Sequence, residues 1–123
     1  MDTLGIKLAV TFSAVFVLAT VMGFVPNPIV GSEGLFLTNT AHNMVHLLTA
    51  IAFAVVAVFG DTPSVVFMKC FGVTYLIVGM GGFSLTGLNS EGMLLGFIHI
   101  NAMDNLLHMA LGVTILVAGV IAD

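Results

Sequence analysis

Four long apolar stretches, separated by short polar clusters, recur along the 123-residue chain. They run at about Ile6–Val25, Thr38–Phe59, Ser64–Phe83 and Ile100–Ala122. Each is close to the roughly 20 residues a helix needs to cross a hydrocarbon core of about 30 Å. Alternation with a period of two is absent, so the pattern predicts helices rather than a membrane β-barrel. The intervals carry turn residues: Pro26, Asn27, Pro28 and Gly31 after the first stretch, Gly60-Asp61-Thr62-Pro63 after the second, and Thr86-Gly87 with Asn89-Ser90-Glu91-Gly92 after the third. Pro63 before Ser64 suits a helix start.

The second half echoes the first. Ser32-Glu33-Gly34-Leu35 returns as Ser90-Glu91-Gly92-Met93, and Phe12, Phe16, Gly23 and Phe24 align with Phe71, Tyr75, Gly82 and Phe83. Asn39-x-x-His42-Asn43-x-x-His46 returns as Asn101-x-x-Asp104-Asn105-x-x-His108, with Phe97-Ile98-His99-Ile100 reading as an insertion. The expected fold class is therefore all-α: an integral membrane four-helix bundle, one domain over residues 1–123, built from two parallel repeats of a transmembrane helical hairpin at about 7–59 and 69–122. Two such copies point the same way across the membrane and are related by an axis along its normal.

Composition agrees with a lipid solvent. The chain is 59% hydrophobic and 7% charged, against roughly 25% charged in soluble domains. Six acids face two lysines, and the formal net charge is −4, so no basic patch exists for nucleic acid. Cys70 stands alone and closes no intramolecular disulfide. Lys7 before an apolar run has the look of a signal peptide, but the run to Val25 exceeds the usual 7–15 residues and lacks a cleavage site, so a retained first span is expected. Lys7 and Lys69 fall on one side with both termini, Glu33 and Glu91 on the other. The excess of lysine places the termini in the cytoplasm.

Asn39, His42, Asn43 and His46 stand at i, i+3, i+4 and i+7, as do Asn101, Asp104, Asn105 and His108. Each quartet occupies one helical face over two turns. Facing lipid, it would leave amide and imidazole groups unpaired, so the two stripes are expected to turn inward and toward each other. Ala50 and Gly112, one turn further along, would let those two backbones approach.

The paired His/Asn motifs, with Gly23-Phe24-Val25-Pro26 and the glycines closing the third span, resemble the four-helix bacterial membrane proteins catalogued as domain of unknown function 4383. The likeness covers nearly the whole chain. It implies four spans and a prokaryotic cytoplasmic (inner) membrane, and supplies no activity.

Three readings of the stripes compete. In the first, Asp104 pairs with His42 or His46, and the asparagines tie the helices together as a structural network. In the second, His42, His46, Asp104 and His108 bind a transition metal (Zn, Fe or Cu), backed by the asparagines. The third places a haem between His46 and His108, or a quinone or proton path along His99 and Asp104. His99 itself reads as interfacial, Glu33 and Glu91 as solvated loop acids, and Met44, Met103 and Met109 as apolar filler. No nucleophile–base pair or phosphate loop is present. The leading expectation is a non-enzymatic accessory or structural component of a membrane assembly, self-associating or joined to a larger complex. A metal- or haem-binding redox protein is the alternative, and a transporter comes third.

Overall fold

The computed structural model describes residues 2–123. The elements are α1 (Leu4–Phe24), β1 (Val30–Gly31), β2 (Phe36–Leu37), α2 (Thr40–Phe59), α3 (Asp61–Thr86), β3 (Glu91–Leu94), β4 (Ile98–Asn101) and α4 (Ala102–Ala122). All four helices are long and apolar enough to cross a membrane. Their outer faces carry unpaired large hydrophobics such as Leu18, Leu48, Ile77, Val117 and Ile121. Helices that are apolar all round belong in lipid.

The helix boundaries differ from those the hydropathy pattern gives, for local reasons. The second helix starts at Thr40 because Asn39 caps it, its Oδ1 accepting from the amide of His42 at 3.0 Å. The fourth starts at Ala102 because Asn101 caps the amide of Asp104 while Asp104 Oδ2 accepts from the amide of Asn101, a reciprocal capping box. The third is longer than expected at 26 residues. Asp61 lies in its first turn, favourable to the helix dipole, and Pro63 sits where a helical amide has no partner to lose. A single residue, Gly60 at φ 127°, joins α2 to α3.

Short strands replace the plain loops expected between spans. β1 and β2 pair in parallel, Val30 with Phe36 and Gly31 with Leu37. The stretch that reads as an insertion is β4, antiparallel to β3 with Glu91 opposite Asn101 and Leu94 opposite Ile98. Leu95 and Gly96 make the turn, both at positive φ. These strands share one end of the bundle with Glu33 and Glu91. The other end holds Asp61, which accepts from the amide of Ile6, and the ion pair of Lys69 with Asp123.

α1 packs along α2 and α3 along α4, with lighter contact between the two pairs. Here the structure corrects an expectation: Ala50 and Gly112 do not bring α2 and α4 together. The Ala50 carbonyl accepts from Ser13 Oγ of α1 at 2.8 Å. Gly112 lies against Gly72 of α3, where an added Cβ would stand 2.6 Å from the amide nitrogen of Leu76 and 2.9 Å from the carbonyl oxygen of Gly72. Small residues permit backbone contact within each pair, whereas aromatic rings of α1, α2 and α3 join the two pairs. Phe12, Phe16, Phe53, Phe67, Phe71 and Tyr75 form a continuous aromatic core, with neighbouring centroids such as Phe53–Phe67 and Phe71–Tyr75 4.8 and 5.0 Å apart.

Candidate functional site

The eight polar residues of the two stripes are all present in the strand-bearing half of the bundle, but they divide into three groups with different partners. The first group latches the loops. Asn39 Nδ2 donates to the carbonyl of Phe97 at 2.9 Å, and Asn101 Nδ2 donates to the carbonyl of Leu35 at 3.0 Å. Each helix cap thus holds the segment that leads into the other helix. Asn39 Oδ1 also accepts from the amide of His99 at 3.3 Å. Asp104 is fully buried, and its Oδ2 accepts from the amides of Leu37 at 3.0 Å and Asn101 at 2.9 Å. Its carboxylate meets backbone amides rather than the imidazoles expected for it.

The second group seals each helix pair. Asn43 lies over Gly23 of α1 and Asn105 over Gly82 of α3, with the amide oxygen of each standing where a Cβ would be. Asn105 Nδ2 donates to Thr86 Oγ1 at 2.8 Å. Neither amide oxygen has a conventional donor. Each instead faces a glycine Cα, the arrangement of a weak Cα–H···O contact. The two asparagines therefore turn away from each other, toward α1 and α3, and not toward a common midline.

The third group is the histidines. His42, His46 and His108 are 2%, 8% and 4% exposed, and each offers one ring nitrogen within 4.8 Å of the others. The ring centroids of His42 and His46 are 4.6 Å apart, and those of His42 and His108 are 5.7 Å apart. His42 Nδ1 is 2.7 Å from the carbonyl oxygen of His99. A carbonyl only accepts, so Nδ1 carries the proton and Nε2 holds the lone pair. Among the described residues, His46 Nδ1 and His108 Nδ1 are buried without a hydrogen-bond partner. An orphaned buried polar atom costs about 1–3 kcal/mol, so two in one cluster need an explanation.

Tyr75 completes the surroundings, its ring 4.6 Å from that of His108, with Phe16 5.9 Å from His46. The aligned aromatics of the sequence point to the bundle interior, but nothing in the spacing places Tyr75 against a histidine. A cleft of about 340 Å³ runs beside the trio between α2, α3 and the β3–β4 turn, lined among others by Thr49, Val78, Leu94 and Phe97, and its open wall is entirely apolar. The ring of His99 points elsewhere, its Nε2 lying 3.3 Å from Glu91 Oε2. Met44 and Met103 face outward. A porphyrin between His46 and His108 would have to displace the rings of His42 and Tyr75 that already pack against His108. Three converging imidazoles suit a single transition-metal ion far better.

Fold and core together define a small polytopic membrane protein: four hydrophobic helices around a buried polar and aromatic interior. The chain belongs to the family described as Domain of unknown function (DUF4383), which it matches over residues 7–121. No curated protein and no solved structure shows significant similarity to it.

Proposed function

We propose that this is a membrane-embedded metal-binding protein, in which His42, His46 and His108 hold one transition-metal ion between helix pairs descended from a duplicated hairpin. The observation that carries the reading is the pair of unpartnered, buried Nδ1 atoms on His46 and His108 beside His42. A metal would give such orphaned nitrogens a role. The carbonyl of His99 on His42 Nδ1 is the outer contact that ligating histidines ordinarily have, fixing tautomer and ring angle. Asp104 serves this reading as the strut that sets α4 against β2, not as a ligand.

Protein purified without chelators should carry close to one equivalent of metal. Added metal at about 100 times its Kd should stabilise the fold by about 2.7 kcal/mol through linkage. The chain has one tyrosine and no tryptophan, so emission from Tyr75 reports on the site alone and should change on metal binding. His46→Gln and His108→Gln should abolish both effects. Metal-free protein with unaltered Tyr75 emission would instead favour a second reading, supported by the latches of Asn39, Asn101 and Asp104. In that reading the cluster sets helix packing, and the protein is an accessory component of a larger assembly or of its own oligomer.

For orientation we propose cytoplasmic termini in a prokaryotic inner membrane. Lys7 and Lys69 lie toward one end, with the strands at the other. In a Cys70→Ser background, cysteine at Ser32 or Ser90 should react with an impermeant thiol reagent in intact cells, and cysteine at Thr3 or Thr62 should not. The reverse labelling would put the histidine cluster in the cytoplasmic half.

A further inference from the structure

We infer that the ion selected by the histidine trio is cuprous copper, Cu(I), bound three-coordinate by one ring nitrogen each of His42, His46 and His108. The inference rests on the metal-binding reading and names its ion. Three features carry it: the charge of the donors, the number of donors, and the freedom of the rings.

The donors are three imidazoles, and among the described residues no carboxylate or thiol joins them within 4.8 Å. Asp104 Oδ2 is committed to the amides of Leu37 and Asn101. The other acids lie toward the two ends of the bundle: Glu33 between β1 and β2 and Glu91 on β3 beside His99 at one end, and Asp2, Asp61 and Asp123 at the other. The Born cost of moving an ion from water into a low-dielectric interior grows with the square of its charge. A divalent ion held by neutral ligands therefore pays roughly four times the penalty of a monovalent one of the same radius. Zn²⁺ and Fe²⁺ sites often meet that cost with thiolate or carboxylate ligands, and among the described residues neither joins the trio.

Coordination number points the same way. Protein Zn²⁺ is almost always four-coordinate, with water in the fourth place where the protein leaves it open. Among the described residues no fourth His, Cys, Asp or Glu joins the trio, the exposed wall of the cleft beside it is apolar, and the rings of Phe16 and Tyr75 pack on His46 and His108, so the protein supplies three nitrogen donors. Cu(I), with a filled d shell, accepts trigonal geometry without loss. Bonds of about 2.0 Å require nitrogens about 3.5 Å apart; the three ring nitrogens lie within 4.8 Å of one another, so any closing adjustment is small. The adjustment falls on His46 and His108, whose Nδ1 atoms have no hydrogen bond to hold the rings. His42, pinned by the His99 carbonyl, presents Nε2 as the fixed point.

The full chain in detergent, kept anaerobic with ascorbate, would be titrated with Cu(I) against the chromophoric chelator bicinchoninate. In parallel it would be titrated with Zn²⁺ against a zinc indicator. The expected result is one Cu(I) per chain held at least 100-fold more tightly than Zn²⁺, with an X-ray absorption edge of three-coordinate nitrogen ligation. His46→Gln and His108→Gln should each weaken Cu(I) binding at least tenfold, and Asp104→Asn should leave it within about threefold. The comparison of the two metals on the unaltered chain needs no variant to fold. Stoichiometric Zn²⁺ bound as tightly as Cu(I), or a four-coordinate spectrum with a carboxylate oxygen, would overturn the cuprous assignment and leave the metal-binding reading standing. Uptake of neither ion would overturn both.

Discussion

Gly112→Leu is expected to prevent the bundle from forming, and Gly112→Ala to lower its stability by about 2–3 kcal/mol. A Cβ at this position meets the backbone of α3, 2.6 Å from the amide nitrogen of Leu76. Backbone cannot rotate aside as a side chain can, so α3 and α4 must separate along their length. Gly72 makes the reciprocal contact, where a Cβ would lie 2.6 Å from the amide nitrogen of Leu116. Because the two glycines share one contact, the Gly72→Ala/Gly112→Ala pair should cost less than the sum of the single changes. Gly81→Ala is the control, since an added Cβ there has no atom within 4 Å, and stability should hold or rise. Denaturant titration in micelles, followed by circular dichroism, measures all five, the Gly72→Ala single change included. A Gly112→Leu protein that unfolds like the parent would rule out close backbone packing of α3 on α4.

Asp104→Ala should cost about 3 kcal/mol and Asp104→Asn about 1 kcal/mol, on the scale of hydrogen bonds to charged and neutral acceptors. Asp104 Oδ2 accepts from two amides at once, that of Asn101 in its own capping box and that of Leu37 in β2. Alanine leaves the buried Leu37 amide without a partner and loosens the join between β2 and the start of α4. Asparagine keeps one carbonyl oxygen for both donors. Hydrogen exchange at Leu37 reads the effect where it arises: the amide should lose protection in Asp104→Ala and largely keep it in Asp104→Asn. Equal destabilisation by the two substitutions, with Leu37 still protected, would mean the carboxylate is not the acceptor.

Much of this architecture is legible along the chain because it depends on local properties. Four apolar runs of spanning length become four helices, since a backbone in lipid has to satisfy its hydrogen bonds within the segment. Asn39 and Asn101, which the spacing puts on the helical faces, instead cap α2 and α4, as short polar side chains before helical runs do. The inward turn of the polar stripes follows from the cost of unpaired groups in hydrocarbon. The strands were not legible. β1 and β2 are two residues each, too short to show any alternation, and β4 gains its form from pairing with β3.

The spacing i, i+3, i+4, i+7 assigns residues to one side of a helix, and it does no more than that. Within a four-helix bundle the inward side of a helix still faces more than one neighbour, so residues that share a face need not share a partner. Asn43 and His46 illustrate this on α2, the one lying over Gly23 of α1 and the other meeting His42 and His108. Asn105 and His108 part in the same way on α4, toward Gly82 of α3 and toward the histidines. Asp104, one position before Asn105, goes to neither and closes on the Leu37 amide. Periodicity reports an angle about a helix's own axis. The partner depends on where the other axes lie, and that is set by long-range packing: glycines that let α3 lie against α4, a serine hydroxyl joining α1 to α2, and aromatic rings of α1, α2 and α3 packed against one another across the two pairs.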